Sequence, residues 1–422
     1  MEKFSFLLIY LFDFQKFSEN KLIFALEFIL ARRLFRFVNF AMIYFDNNAT
    51  TQIAPEVIRA MQPFLTEFYG NPSSAYSFGR EVRNAIETSR EQVADLLGAS
   101  DAAEIVFTSG GTESDNWAIF GTLEANPSKK HIVTTRVEHE AVRCVCEKLE
   151  RNNFEITWLD VDEKGFLDTE ELKNSLRKDT AIVSVMLANN ETGILFPVAE
   201  IAEIVKEHSA ALFHVDGVNA VGKIPVNLKN TEVDLFSISG HKFHAPKGIG
   251  ALYIRENVEL PSFLIGGGQE NAKRAGTEAV HQIAAIGAAA DLVGDLSPMS
   301  KVYALRNRLE NEILNKIPNS RLNGSPDYEK RLPNTSNISF ENLNGEVILA
   351  RLNDLGICVS TGSACNAENH TASAVLQAMN IPYSQTMGAI RFSLGRYNTK
   401  EEVDYVLENL PTIIEELREI SL

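Results

Sequence analysis

A lysine with small and polar neighbours follows a predicted strand in the middle of the chain. Lys242 comes after the apolar run of residues 233–238 and directly after Ser239, Gly240 and His241. A lysine amine in such a position can form a Schiff base with an aldehyde, and the neighbouring hydroxyl and imidazole groups can hold a phosphate. A single lysine in a loop is far more often a surface charge, so this interpretation depends on matching features elsewhere in the chain.

Two segments upstream supply such features. Residues 107–114 read as a strand, a glycine turn and the start of a helix, and a helix N-terminus among small residues binds anions. Asp216 ends an apolar run 26 residues before Lys242, where a carboxylate could keep a pyridine nitrogen protonated. Each segment alone is weak, because any strand–turn–helix unit looks similar and an isolated Asp is more simply a helix cap. Their order along the chain is phosphate turn, Asp, then Lys.

The chain resembles the cysteine desulfurases of the NifS/IscS type, which belong to the class-V aminotransferase-like branch of fold-type I pyridoxal-phosphate (PLP) enzymes. The resemblance covers about residues 43–420, and its matching segments are residues 44–51, 69–74, 138–142, 188–193, 274–277 and 359–365. So many matches in the same order exclude chance. The resemblance implies an α/β fold, the PLP-dependent transferase fold type I, with a large, mainly parallel-sheet domain and a smaller α+β domain.

The resemblance also implies roles for individual residues around the cofactor. Lys242 would hold PLP and move protons at the substrate's Cα, Asp216 would pair with the pyridinium nitrogen, and His139 would stack on the ring. The residues expected to bind the phosphate are Gly111, Thr112, Ser239, His241 and, from the other subunit, Thr277. A contribution from the other subunit implies a homodimer.

Two further positions concern the substrate and the ring oxygen. Asn190 resembles a residue near the ring oxygen and the substrate, and Arg391 resembles the residue that binds the substrate carboxylate, for which the planar guanidinium is suited. Asn219 stands where the family usually has Gln. Its shorter side chain reaches less far toward the ring oxygen, and one such hydrogen bond contributes roughly 1 kcal/mol. We therefore expect Asn219 to modify the site rather than to abolish activity.

Cys365 would decide the reaction. The other cysteines (Cys144, Cys146 and Cys358) read as core or surface thiols, whereas Cys365 lies among small and polar residues before a helical segment near Val375. The resemblance implies that its thiolate takes sulfur from L-cysteine, which leaves L-alanine and a persulfide on Cys365. The expected sulfur acceptor is an iron–sulfur scaffold or another protein, for iron–sulfur cluster assembly or for thiolation of tRNA or a cofactor. No intrinsic metal site is predicted, although Cys365 could transiently share an iron–sulfur cluster with a scaffold.

Three alternative functions stay open at this point. A selenocysteine lyase has the same scaffold and is poorly separated by sequence. Another class-V PLP aminotransferase would have no use for Cys365. A catalytically idle sulfur-assembly subunit would act by binding alone, but the intact Lys242, Asp216 and Cys365 argue against it.

The pattern of predicted elements divides the chain. Short β-rich runs alternate with helical segments from about residue 56, which indicates parallel βαβ units, and the pattern changes after about residue 295. We predict a large PLP-binding domain over residues 56–294 and a small domain, made of residues 42–55 with 295–422, that carries the Cys365 loop. Near the C-terminus, residues 401–410 and 412–420 read as two amphipathic helices, with Pro411 in the first turn of the second.

Residues 1–41 form an N-terminal extension unlike the rest. Its apolar runs are short or carry a charge such as Glu27, and none reaches the roughly 18–20 apolar residues needed to span a bilayer. No convincing cleavage site for a signal peptide follows them. The extension reads as a membrane-surface appendage or, as we favour, as a start assigned upstream of Met42.

The overall composition limits the possible partners. The net charge of −16 argues against nucleic acid as the main partner, because binding phosphate backbones needs clustered Lys and Arg. Four cysteines are too few for a disulfide scaffold in 422 residues. We therefore expect a protein of a reducing, cytoplasmic compartment, with no membrane association.

Overall fold

A computed structural model describes residues 42–361 and 372–421 of the chain. The predictions on residues 1–41 and on Cys365 lie outside the described residues. The strands are β1 Ile43–Tyr44, β2 Ile105–Thr108, β3 His131–Thr135, β4 Glu155–Leu159, β5 Thr180–Ser184, β6 Leu212–Asp216, β7 Leu235–Ser239, β8 Gly250–Ile254, β9 Ser320–Leu322, β10 Thr335–Phe340, β11 Ile357–Cys358, β12 Ser360–Thr361 and β13 Ala389–Ser393. The helices are α1 Pro55–Met61, α2 Pro63–Thr66, α3 Ser77–Leu97, α4 Gly111–Ala125, α5 Glu140–Glu150, α6 Thr169–Ser175, α7 Val198–His208, α8 Val280–Gly294, α9 Ser297–Lys316, α10 Gly345–Asp354, α11 Ala374–Ala378, α12 Tyr383–Thr386 and α13 Lys400–Ser421.

Seven strands form the central sheet, in the order β2-β8-β7-β6-β5-β3-β4. The strands from β7 to β4 pair in parallel, whereas β8 runs antiparallel to both of its neighbours. Strands β3 and β5 are buried along their whole length, which explains why the sequence shows continuous β-rich runs there rather than alternation. This mainly parallel sheet confirms the predicted α/β class.

Helices cover both faces of this sheet. On one face, α4 and α5 pack over Ile132, Ile182 and Leu235, together with the fully buried Trp117. On the opposite face, α3, α7 and α8 enclose a second apolar layer that includes Phe236. Because successive residues of a strand point to opposite faces, each strand contributes to both layers.

A separate apolar cluster surrounds a smaller sheet. Strands β12-β13-β10-β9 are antiparallel, and β1 pairs with β11 in parallel. Apolar residues of α9, α10 and α13 pack here with Ile43 and Phe45. The cluster falls within the predicted small domain, but Val375 and Leu376 of α11 pack in the large cluster instead. The boundaries 42–55, 56–294 and 295–422 therefore stay a prediction.

The prediction of two C-terminal helices is wrong. Helix α13 runs unbroken from Lys400 to Ser421 with Pro411 inside it. A proline there removes one backbone hydrogen bond of the helix, but Leu407, Leu410 and Ile414 on either side of it pack in the same apolar cluster. This burial holds the two halves in line. Although α13 has 22 residues, no helix in the described ranges is both long and apolar enough to cross a bilayer.

We predict that Gly217→Ala destabilises the protein by about 1–3 kcal/mol through overpacking. A Cβ at Gly217 would lie 2.0 Å from the ring of Phe236, which is fully buried in β7 and has no space to move into. The measurement is the free energy of unfolding in denaturant. Gly294→Ala is the matched control, because a Cβ at Gly294 meets nothing within 4 Å. Equal stability of the two variants would contradict the packing described for Gly217.

Candidate active site

Several of the predicted site residues lie at one edge of the central sheet. Strand β6 ends at Asp216, β7 ends at Ser239, and Glu138 and His139 follow β3. Strand β2 runs in the same direction as β7, since both are antiparallel to β8, and it ends at Thr108 before the glycine turn. Carboxyl ends of parallel strands meet at one edge of a sheet, so the segments that follow them converge there.

The glycine turn leaves the N-terminus of α4 open. Gly110 precedes the helix with a φ of 151°, which side chains rarely allow, and no side chain caps the first turn. A Cβ at Gly111 would lie 2.7 Å from Val218 and 3.5 Å from the Cβ of Ser239. The turn is therefore packed against the ends of β6 and β7. The first N–H groups of α4, at Gly111 and Thr112, form a helix terminus suited to an anion.

Asp216 and His139 are buried together. One carboxylate oxygen of Asp216 accepts a hydrogen bond of 2.9 Å from the N–H of Val218. Burial raises the pKa of Asp216 to about 6, Asp115 adds to the rise, and His139 counteracts it. The Nδ1 atom of His139 accepts from the N–H of Ala141 at 3.1 Å, and burial lowers the pKa of His139. His139 is therefore a neutral imidazole with its proton on Nε2.

Lys242 lies in a short turn directly after β7. Its Nζ donates to the carbonyl oxygens of Asn48 at 2.5 Å and Ala49 at 3.0 Å. His241 beside it is tied to the same segment, with its Nδ1 atom 3.2 Å from Oγ1 of Thr50. Burial lowers the pKa of His241 to about 4, and the charge of Lys242 adds to the shift, so this imidazole is neutral near pH 7. Lys242 also borders a small cleft lined by Asn47, Lys223 and His244.

Arg391 reaches the site from β13. Its Nη2 atom pairs with Oδ1 of Asp46 at 2.7 Å, and its Nη1 atom donates to the carbonyl oxygen of Asn190 at 3.0 Å. Within the described ranges, the buried Nε atom of Arg391 has no partner. Arg391 thus contacts Asn190, and it keeps one donor available for a ligand. The pairing with Asp46 was not predicted.

Asn219 is held by a lysine that the sequence reasoning missed. The Nζ atom of the buried Lys223 donates to both the carbonyl oxygen of Asn219, at 2.7 Å, and its Oδ1 atom, at 3.0 Å. The Nδ2 atom of Asn219 makes only a long contact of 3.4 Å with the carbonyl oxygen of Asn189. The side-chain oxygen is therefore occupied, and the NH₂ group is the side of Asn219 that is left to bind a ligand.

Thr277 is exposed, as is Thr112, whereas Gly111 and Ser239 are buried. The segment that leads to it is held beside the glycine turn, because Nε of Arg274 pairs with Oε1 of Glu113 at 2.9 Å. Oε2 of Glu113 in turn accepts from the N–H of Ser109 at 2.7 Å. An exposed position agrees with the expectation that Thr277 serves a second subunit.

Three buried ionisable residues near Asp216 also escaped the sequence reasoning. They are Asp115 on α4, Glu138 after β3, and His214, two residues before Asp216 on β6. In the sequence, an acidic residue in the first turns of a helix is most simply interpreted as a cap. A histidine within a strand is most simply interpreted as a core residue. The alternation of side chains along β6 could have identified His214, because it places His214 on the same face of the sheet as Asp216.

Comparisons with known proteins identify the family of the chain. The class-V aminotransferase family profile matches residues 43–406. The chain is 52% identical over 383 residues to a cysteine desulfurase of Trichormus azollae, covering 90% of this chain and 95% of that one. It is 47% identical to the cysteine desulfurase NifS of Azotobacter vinelandii, covering 90% and 94% of the two chains. A solved NifS-like protein is 39% identical with a TM-score of 0.84, covering 89% of this chain and all of that one.

The fold is that of a class-V aminotransferase-type enzyme. The chain belongs to this family and, within it, to the cysteine desulfurases of the NifS/IscS type. The resemblance noted from the sequence motifs is thereby confirmed.

We predict that Glu138→Gln flattens the dependence of stability on pH. Oε1 of Glu138 accepts from Oγ1 of Thr135 at 2.7 Å and from the N–H of Met186 at 3.0 Å, and burial raises its pKa from 4.5 to about 8. The folded state therefore binds this proton more tightly than the unfolded state. Stability of the wild type should fall as pH rises from 5.5 to 7.5, by up to about 1.4 kcal/mol per pH unit from this group.

The measurement is the free energy of unfolding at several values of pH across this window. Glu138→Gln should show a less negative slope than the wild type, because Gln does not titrate. The exposed Glu91→Gln serves as the control and should keep the wild-type slope. The same slope in all three proteins would show that Glu138 is ionised in the folded state.

Proposed function

We propose that this chain takes sulfur from L-cysteine with PLP as its cofactor, leaving L-alanine and a persulfide on Cys365. The observation that carries the proposal is the meeting of Lys242, Asp216 and His139 beside the open N-terminus of α4. The family to which the chain belongs supports the same conclusion, since cysteine desulfurases are PLP enzymes.

The residues at the sheet edge fit PLP in three respects. The uncapped N-terminus of α4 at Gly111 and Thr112, next to Ser239, suits the phosphate. Asp216 is a buried carboxylate with one oxygen bound to a backbone N–H, which suits a protonated pyridine nitrogen. Lys242 lies in the turn that follows β7, where its amine donates to two backbone carbonyl oxygens and is suited to bind the aldehyde. His139, Asn190, Asn219 and His241 would complete the cofactor site, with Thr277 of a second subunit.

The reaction needs a proton to be removed from Cα of the substrate. PLP supplies an electron sink for the charge that this step creates. Lys242 is the base that would take the proton and return it, because it is an amine whose charge acts on His139 at the same site. His139 is a second candidate acid or base, through the Nε2 proton that its bond to Ala141 leaves available.

Arg391 would orient the substrate through its carboxylate. The side chain is nine-tenths buried, and its Nε atom has no partner in the described ranges. Asp46 and the Asn190 carbonyl fix the guanidinium from the opposite side. A rigid guanidinium with a donor to spare binds a carboxylate with a defined orientation, which places the substrate's Cα near Lys242.

Cys365 would receive the sulfur. Its thiolate attacks the sulfur of the bound cysteine, so that a sulfur–sulfur bond forms on Cys365 while the carbon–sulfur bond of the substrate breaks. Return of a proton to the remaining carbon skeleton gives alanine. A reductant then releases the persulfide sulfur as sulfide, and in the cell an acceptor protein would take it.

The remaining expectations belong to the same proposal. The chain would act as a homodimer, supply sulfur for iron–sulfur cluster assembly or for thiolation of tRNA or cofactors, and work in the cytoplasm. It would be built from the domains 56–294 and 42–55 with 295–422. The separate apolar clusters of the two sheets support this domain division.

Two other activities use the same scaffold. A selenocysteine lyase would act faster on selenocysteine than on cysteine, so relative turnover on the two substrates separates it. An aminotransferase would pass the amino group to an acceptor and would not need Cys365. The names of the relatives favour the desulfurase over both.

We predict that Cys365→Ala loses both alanine and sulfide production from L-cysteine in the presence of a reductant, to below about 1% of the wild type. The wild type should make the two products in equal amounts, since each transferred sulfur leaves one alanine. Product quantities over time are the measurement. The variant should still show the visible absorption of bound PLP, because Lys242 is intact.

Cys358→Ala is the matched control for this experiment. Cys358 lies in β11 and pairs with Tyr44, and burial raises the pKa of its thiol, so it is not a reactive thiolate. This variant should keep both activities. Alanine or keto-acid production that survives in Cys365→Ala would refute the desulfurase mechanism and favour an aminotransferase.

A further inference from the structure

A row of polar side chains crosses the central sheet next to Asp216, on the same face of the sheet. Thr134, Ser184 and His214 are neighbours on the adjacent strands β3, β5 and β6, and Ser237 on β7 is opposite Asp216. All are buried on the face that otherwise carries residues such as Ile182. Polar residues inside an apolar layer lower stability unless they are paired, so their concentration next to the cofactor site needs a reason.

His214 connects this row by hydrogen bonds. Its Nδ1 atom lies 2.9 Å from Oγ of Ser184, and its Nε2 atom lies 2.9 Å from Oγ of Ser237. The side chain is completely buried, and burial lowers its pKa to about 4. His214 is therefore a neutral imidazole, which links its neighbours without supplying a positive charge.

Asp115 faces this row from helix α4. Its Oδ1 atom lies 3.5 Å from Nε2 of His214 and has no hydrogen-bond partner in the described ranges. Burial raises the pKa of Asp115 to about 7, and the hydroxyl of Ser237 counteracts part of the rise. No lysine or arginine among residues 42–361 and 372–421 forms an ion pair with Asp115. The Ser237 hydroxyl is thus the group that stabilises a negative charge on this carboxyl, and no cation pairs with it in the described ranges.

The other ionisable groups around Asp115 do not supply a positive charge either. Glu138 and Asp216 are buried carboxyls whose pKa values burial and mutual repulsion raise. His214 and His139 have pKa values lowered by burial. The thiol of Cys146, whose pKa burial raises, faces Glu138. The charges of Lys242 and Arg143 act on His139, but no lysine or arginine in the described ranges forms an ion pair with any of the three carboxyls.

We propose that Asp115 is a positioning residue that acts through Asp216, by holding a proton in the empty site and releasing it to solvent when the positively charged pyridine ring binds. The proposal rests on the assignment of PLP above. In the empty site, a protonated Asp115 avoids a second negative charge beside Asp216. Once a pyridinium ion pairs with Asp216, a negative Asp115 is attracted to the added positive charge, so its proton dissociates.

The test measures protons released when PLP is added to the full-length chain from which PLP has been removed. The solution is weakly buffered and contains a pH indicator. At pH 7, the wild type should release about half a proton more per site than Asp115→Asn, because Asp115 is about half protonated there. The difference should vanish at pH 9, where Asp115 is already ionised in the empty site, and again at a pH below the lowered pKa of Asp115 in the occupied site. The exposed Asp95→Asn is the matched control and should behave as the wild type.

A second variant, Ser237→Ala, keeps the carboxyl and removes the hydroxyl that lowers its pKa. The pH at which proton release is greatest should therefore move upward. Equal proton release by the wild type and Asp115→Asn at pH 7 would overturn the role of Asp115 while leaving the cofactor assignment intact. Failure of the wild type to bind PLP at all would overturn the proposed function, and this proposal with it.

Discussion

The parallel pairing of β6 with β7 is the constraint on which the rest of the site depends. The register of this pairing places Asp216 opposite Ser237. The end of β6 and the turn that contains Lys242 therefore lie at the same edge of the sheet. A slip of one residue would turn Asp216 to the opposite face, because strand side chains alternate. The overpacked contact that any side chain at Gly217 would make with Phe236 shows how closely the strands are fitted at this point.

Burying this edge has an electrostatic consequence. The site collects Asp115, Glu138 and Asp216 where water is scarce, and burial raises the pKa of each. Neutral carboxyls reduce the repulsion that three charges would create, while the lowered pKa values of His139 and His214 keep the imidazoles uncharged. The region is therefore short of positive charge, which suits the binding of a cationic ring.

The smaller sheet completes the site from the other side of Lys242. Asp46 forms a β-bridge with Ser393, the last residue of β13. The segment that follows brings the carbonyl oxygens of residues 48 and 49 within hydrogen-bond distance of the Lys242 amine. The same strand carries Arg391, which is fixed by Asp46 and the Asn190 carbonyl. Residues from the beginning, middle and end of the chain thus meet at the candidate substrate position.

The sequence by itself determined the α/β class, most strands of the central sheet, and the order of glycine turn, Asp216 and Lys242, because these depend on local periodicity and short motifs. It misjudged α13, where burial of Leu407 and Ile414 overrides the break that Pro411 suggests. Only the tertiary structure decided that Asp115 faces His214, that Lys223 holds Asn219, and that Arg391 pairs with Asp46. The first and last of these contacts join residues far apart in the chain, and the lysine contact depends on how a buried turn is packed. Such contacts leave no periodic pattern in the sequence, since the packing of the sheets creates them.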